Sequence, residues 1–171
     1  MTTPLGDALT RWTIRVALAF AVAALATRFF HRNHFARLTW TVGCLLYLAH
    51  VITAFHFFHE WSHDSAYRAT ARDTAALFGL DWGGGLYFNY AFTCIWMADV
   101  AWSWTEPASY ETRPRWANAI VYGFFVFMAF NGAVVFATGI MRWTSTTAFA
   151  VLLFLYCYRC WKPSGESPHR T

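Results

Sequence analysis

The chain has 171 residues, of which 57% are hydrophobic, 20% are aromatic and only 13% are charged. A soluble domain carries roughly twice that charged fraction, so the composition argues against a soluble protein and indicates membrane-spanning helices. The net charge of +4 does not indicate nucleic-acid binding, because the 13 basic residues lie mostly at the ends of apolar segments, where such residues orient helices in a bilayer.

Five apolar segments, each close to the roughly 20 residues that a bilayer crossing needs, predict an all-α integral membrane protein with about five transmembrane helices. We expect a single domain over residues 1–162 and a short polar tail at 163–171. The predicted spans are about 12–30, 38–58, 85–104, 117–139 and 144–161.

The basic residues also predict an orientation. If the 31–37 loop faces the cytoplasm, eight basic residues lie inside and five outside. Cytoplasmic loops carry the excess of Lys and Arg, so this distribution favours an outer N-terminus and a cytoplasmic C-terminus.

The second apolar segment is longer than a bilayer crossing requires. No glycine or proline occurs between Gly43 and Gly79, which leaves roughly 50 Å of potential helix against a hydrocarbon core of about 30 Å. We therefore expect one long second helix that leaves the membrane near Phe58 on the outer side and continues into an interfacial helix at about 64–79.

A cluster of histidines lies where this helix should leave the membrane. The segment His59-Glu60-Trp61-Ser62-His63 reads H-E-x-x-H. On a continuous helix, His59, Glu60 and His63 share one face with His56, and residues four apart can reach one ion. Two histidines can then hold a metal, and a neighbouring glutamate can take a proton from the metal-bound water. His56, two turns from His63, cannot reach the same ion alongside it and is expected either beside the site or in a second metal site.

This segment resembles the core motif of zinc metallopeptidases, including the intramembrane site-two metalloproteases. The resemblance covers five residues and implies that His59 and His63 bind zinc while Glu60 acts as the general base. Iron and copper suit the same ligand types. A third ligand is required, and the candidates are Asp81 and Asp99, since site-two metalloproteases take theirs from an aspartate in a distant helix. The segment Leu80-Asp81-Trp82-Gly83 is similar to their Leu-Asp-Gly element, although Trp82 interrupts it.

Other metal chemistries fit the sequence less well. A haem needs axial ligands from facing helices, and four of the five predicted spans contain no histidine. A ferritin-like di-iron site uses Glu-x-x-His twice, and the chain supplies one copy, Glu60 to His63, so a homodimer would be needed. Asp99 has a simpler interpretation, in which it faces Arg113, Arg115 or water.

Two functional hypotheses follow. The first is a small integral membrane metal-binding protein with a His/Glu site at the outer membrane surface; if it is an enzyme, it is a zinc-dependent hydrolase or peptidase. The second is a non-catalytic accessory or assembly subunit of a larger membrane complex. The chain length favours the second, because 171 residues leave almost no extramembrane domain to hold a substrate. The expected partners are the lipid bilayer, other membrane subunits or a second copy of the chain.

Overall fold

The computed structural model describes residues 3–29, 33–137, 139, 142–147, 149, 150 and 154. All regular structure in these residues is helical, as the composition predicts. In chain order the helices are α1 (Pro4–Phe29), α2 (Asn33–Phe58), α3 (His63–Phe78), α4 (Gly85–Thr105), α5 (Pro107–Glu111), α6 (Arg115–Phe130) and a π-helical segment, Asn131–Val135. The chain divides into two compact units, Met1–Met128 and Ala129–Thr171.

Within the part of the chain that the structure describes, three helical stretches are long and apolar enough to cross a membrane: Pro4–Leu25, His34–Phe58 and Arg115–Val135. They support the assignment to the class of helical membrane proteins. The full set of five spans, the orientation and the single domain stay predictions. The predicted tail and most of the predicted fifth span lie outside the described residues.

The first helix begins about eight residues earlier than the hydrophobicity predicts. It starts at Pro4. Proline lacks a backbone N–H, and this costs nothing in the first turn of a helix, where the N–H groups have no partner within the helix. The Thr3 hydroxyl accepts a hydrogen bond from the Gly6 N–H at 3.2 Å, which satisfies one free donor of the first turn. Hydrophobicity alone misses this start because the first two turns of α1 are partly polar.

Helices α1, α2 and α4 approach one another closely around Gly43. A Cβ atom at Gly43 would lie 3.1 Å from the Trp96 ring in α4 and 3.2 Å from the Ala17 carbonyl in α1. Ala17 and the alanine one turn later, Ala21, are both buried. Small residues at such crossings let helix backbones come together, which is the usual packing of membrane helices.

The core of the first unit is aromatic. The rings of Trp40 and Trp96 lie 5.1 Å apart, and Phe125 of α6 lies 4.8 Å from Trp40 and 4.7 Å from Trp96. Phe92 and Tyr47 extend the cluster along α4 and α2. These spacings fall in the range where ring pairs add to the energy of burial, so this cluster joins α2, α4 and α6.

Candidate functional site

The structure corrects the helical geometry expected for the H-E-x-x-H segment. Helix α2 ends at Phe58 and α3 begins at His63, so residues 59–62 form a turn between two helices. Glu60 and Trp61 both have positive φ angles, of 49° and 60°. His59 and His63 therefore do not lie on adjacent turns of one helix, and the shared face predicted from helical spacing is wrong.

The turn at 59–62 is held by local bonds that replace those of a helix. The Trp61 N–H donates to the Phe55 carbonyl at 3.0 Å, and the Ser62 N–H donates to the His59 carbonyl at 2.8 Å. The Ser62 hydroxyl accepts from the Ser65 N–H at 3.2 Å and caps α3. Left-handed geometry costs a residue with a side chain roughly 1–2 kcal/mol, so two such residues in succession mark a locally strained segment.

His59 is the first residue after α2, and its ring lies 5.6 Å from that of Phe55. Its Nδ1 atom is buried and has no hydrogen-bond partner. Two other side-chain atoms of the described residues, Thr10 Oγ1 and Trp96 Nε1, are in the same situation. Burial lowers the pKa of His59 from its ordinary value of 6.5, and the negative charge of Asp73 opposes this shift. Burial therefore favours the neutral form of the ring, which is the form that binds a metal.

His63 occupies a different environment, among tyrosines. Its Nδ1 lies 3.0 Å from the Tyr90 hydroxyl of α4, within hydrogen-bond range. The rings of Tyr87 and Tyr90 lie 5.9 and 5.8 Å away, and Tyr67 lies at 6.5 Å. These contacts attach the first turn of α3 to α4.

The remaining predicted site residues are spread over three places. The His56 ring packs 4.6 Å from Phe57, and Glu60 lies in the turn at 59–62. Asp81 lines an open groove together with Ser62 and Asp64. Within the described part of the chain, no three His, Cys, Asp or Glu residues come together in a way that could hold a metal ion. The metal site stays a prediction.

Asp99 does not join the histidines. It lies nine residues after Tyr90 in α4, about 14 Å farther along the helix axis, and it is 4% exposed. Its carboxylate forms a buried ion pair with Arg113. It also accepts hydrogen bonds from Trp40 Nε1 and the Tyr110 hydroxyl, both at 2.9 Å. The simpler interpretation of Asp99, that it faces Arg113, is confirmed.

Arg113 completes this buried network from the segment that precedes α6. Its Nε donates to the Asn118 side-chain oxygen at 2.6 Å, and another guanidinium nitrogen donates to the Tyr122 hydroxyl at 2.9 Å. Its guanidinium also lies 4.2 Å from the Tyr110 ring centre. A buried ion pair stabilises a fold only when such additional bonds satisfy both charges. The arrangement therefore ties α2, α4, α5 and α6 together.

The sequence named Arg113 as one of three alternatives for what Asp99 faces, beside Arg115 and water. It gave no indication of Trp40, Tyr110, Asn118 and Tyr122. Their residue types gave no signal, since Trp and Tyr at helix ends are typical of the membrane interface. Only the packing brings them to one carboxylate and one guanidinium.

No protein-family model, curated protein or solved structure matches this chain.

Proposed function

We propose that the chain is a non-catalytic component of a membrane assembly, joined to a helix of a neighbouring chain through one face of α6. The observation that carries the proposal is a close-approach surface on that helix that no described residue fills. Ala119 and Gly123 are four residues apart and both exposed. This small-x-x-x-small spacing lets two membrane helices pack with their backbones close together.

The two glycines within α2 and α6 differ in a way that supports this proposal. A Cβ at Gly43 would meet Trp96 and Ala17, so Gly43 is explained by contacts inside the chain. A Cβ at Gly123 would meet no described atom within 4 Å. A glycine within a helix costs about 1 kcal/mol relative to alanine, and a close approach by another helix would account for its presence at Gly123.

Large apolar side chains surround the small residues on α6. Among the described residues of the helix, only Phe125 is buried. Val126 and Phe127 are 48% and 51% exposed, and Trp116, one turn before Ile120, is 67% exposed. This surface suits either lipid or a second helix, so the small pair at its centre is the distinguishing feature.

The test is photo-crosslinking in the native membrane with a benzophenone amino acid at Val126. The matched control carries the same probe at Val22 of α1, which is 47% exposed against 48% for Val126. We expect the Val126 probe to give one adduct of defined mass, identified by mass spectrometry as a second copy or another membrane protein. Gly123→Leu should abolish it, and Val22 should give none. Lipid adducts alone at both positions, or an adduct only within the same chain, would overturn the proposal.

Metal binding at His59 is a second candidate, favoured by the buried Nδ1 atom that has no partner. A neutral imidazole with a free nitrogen is a metal ligand, and Asp73 supplies a negative charge nearby. We do not extend this candidate to hydrolysis. The motif's chemistry needs Glu60 beside a metal held by both His59 and His63, and the turn at 59–62 removes the shared helix face that would bring both histidines to one ion.

Elemental analysis of detergent-purified protein tests this candidate. We expect near-stoichiometric zinc, iron or copper that is lost in His59→Asn and kept in His34→Asn, which alters an exposed histidine at the start of α2. A parent protein that stays metal-free after incubation with each ion, with no change in thermal stability, would exclude the site. If the parent protein binds metal, the metal content of His63→Asn shows whether His63 is also a ligand.

A further inference from the structure

The polar face of α3 forms one side of an open groove that the proposed assembly does not use. The groove is lined by Ser62 and Ser65 at the start of the helix, by Arg68 and Arg72 along it, and by Asp64 and Asp81. Tyr67 and Ala71 complete the lining, so the groove combines two guanidinium groups, two carboxylates and three hydroxyl-bearing residues.

The sequence neighbours of the groove place it at the level of lipid headgroups. Its first lining residue follows Trp61, which is 61% exposed, and its last precedes Trp82, which is 46% exposed. Exposed tryptophans concentrate at the membrane–water boundary. The groove also begins four residues after Phe58, where a stretch long and apolar enough to span a membrane ends.

The charges along α3 are incompletely paired. Arg68 forms an ion pair with Asp64 one turn earlier, with both side chains well exposed. Arg72 follows Arg68 by one turn, so two positive charges stand side by side on one helix face, where like charges repel. Among the described residues, neither Arg72 nor Asp81 takes part in an ion pair, although both line the same groove.

We infer that the groove binds a phosphoethanolamine group, with the phosphate on Arg72 and Arg68 and the ammonium on Asp81. A guanidinium matches phosphate oxygens through paired N–H donors. An anion between the two arginines also relieves their repulsion. The carboxylate accepts hydrogen bonds from a primary ammonium, which a quaternary choline cannot donate. A single zwitterion can therefore give both Arg72 and Asp81 a partner of opposite charge, although the two side chains form no ion pair with each other.

The inference requires that the chain lies in a membrane, but it does not require the contact through α6. A lipid-binding groove on a monomeric protein would leave the inference standing while overturning the assembly. The two experiments therefore fail independently.

The test is native mass spectrometry of the full chain in detergent, titrated separately with five probes. These are dioleoyl-phosphatidylethanolamine, dioleoyl-phosphatidylcholine, dioleoyl-phosphatidylglycerol, O-phosphoethanolamine and inorganic phosphate. We expect one bound phosphatidylethanolamine per chain, held about tenfold more tightly than the choline and glycerol lipids, since each lacks one charged hydrogen bond. Stronger binding of the lipid than of O-phosphoethanolamine identifies the membrane as the source; equal binding identifies the soluble group.

The variants are Arg72→Ala, Asp81→Asn and Arg68→Ala, each expected to weaken binding about tenfold. The chain offers a matched control in Arg11→Ala, because Arg11 also pairs with an aspartate one turn earlier on an exposed helix surface. It should bind like the parent. Equal affinity for all three lipids, or the same loss in Arg11→Ala as in Arg72→Ala, would overturn the inference.

Discussion

Two polar regions of this molecule differ in how completely their groups are paired. Around Asp99 and Arg113, both charges are buried and bonded by groups from four helices. At the turn of residues 59–62, the backbone is strained and the His59 Nδ1 has no partner. A buried polar group with all its bonds made serves stability, whereas an unsatisfied one has bonding capacity left for a ligand. The segment that matches the H-E-x-x-H motif is thus less completely hydrogen-bonded than the buried ion pair.

The largest expected effect comes from removing one charge of the buried pair. Asp99→Leu should lower the free energy of unfolding by about 3–5 kcal/mol, because it leaves Arg113 buried without its counter-charge. The double variant Asp99→Leu/Arg113→Met should recover part of the loss. Equilibrium unfolding in mixed micelles measures both. Asp7→Leu, at an exposed pair, should change little. An Asp99 variant as stable as the parent would show that the network is not structural.

The buried network and the exposed contact beside the turn can be compared by removing one tyrosine hydroxyl from each. Tyr110→Phe removes a donor to the buried carboxylate and should cost about 1.5–3 kcal/mol, as for hydrogen bonds to charged groups. Tyr90→Phe removes the exposed contact with His63 and should cost about 1 kcal/mol or less. Equal losses in the same unfolding assay would contradict the distinction between the regions.

The left-handed backbone of the turn at 59–62 predicts which of two substitutions at Glu60 gives the more stable protein. Glu60→Gly should be about 1 kcal/mol more stable than Glu60→Ala, because glycine adopts the positive φ without the steric cost. Both variants remove the same carboxylate, so their difference isolates the backbone. If alanine proves as stable as glycine, Glu60 does not hold the left-handed geometry in solution.

The smallest expected effect is a pH dependence from His59. Its pKa is lowered by burial, so its contribution to stability is present above pH 6.5 and is lost as the pH falls. In metal-free buffer, the thermal midpoint of the parent should therefore drop more between pH 7.5 and pH 5 than that of His59→Gln. His34→Gln should keep the parent slope. Parallel curves for parent and His59→Gln would show that His59 titrates normally.

The sequence by itself determined the all-helical class of this protein. Long apolar segments with few charges predict membrane-length helices, because a bilayer requires the backbone to bond within each helix. The sequence also indicated that Asp99 could face Arg113, since each lies near the end of a predicted span. It gave one overlooked sign of the helix break, namely Ser62, a residue type that favours the start of a helix.

Only the tertiary structure decided the rest. The residues between α2 and α3 include no glycine or proline, so local propensity could not predict left-handed geometry at Glu60 and Trp61. That geometry depends on a backbone bond to Phe55 and on the packing of Trp61 against Phe55 and His56. The partners of Asp99 likewise come from helices 11 to 59 residues away in the chain. Helical periodicity places residues within one helix, whereas a site built from several helices is defined by how those helices pack.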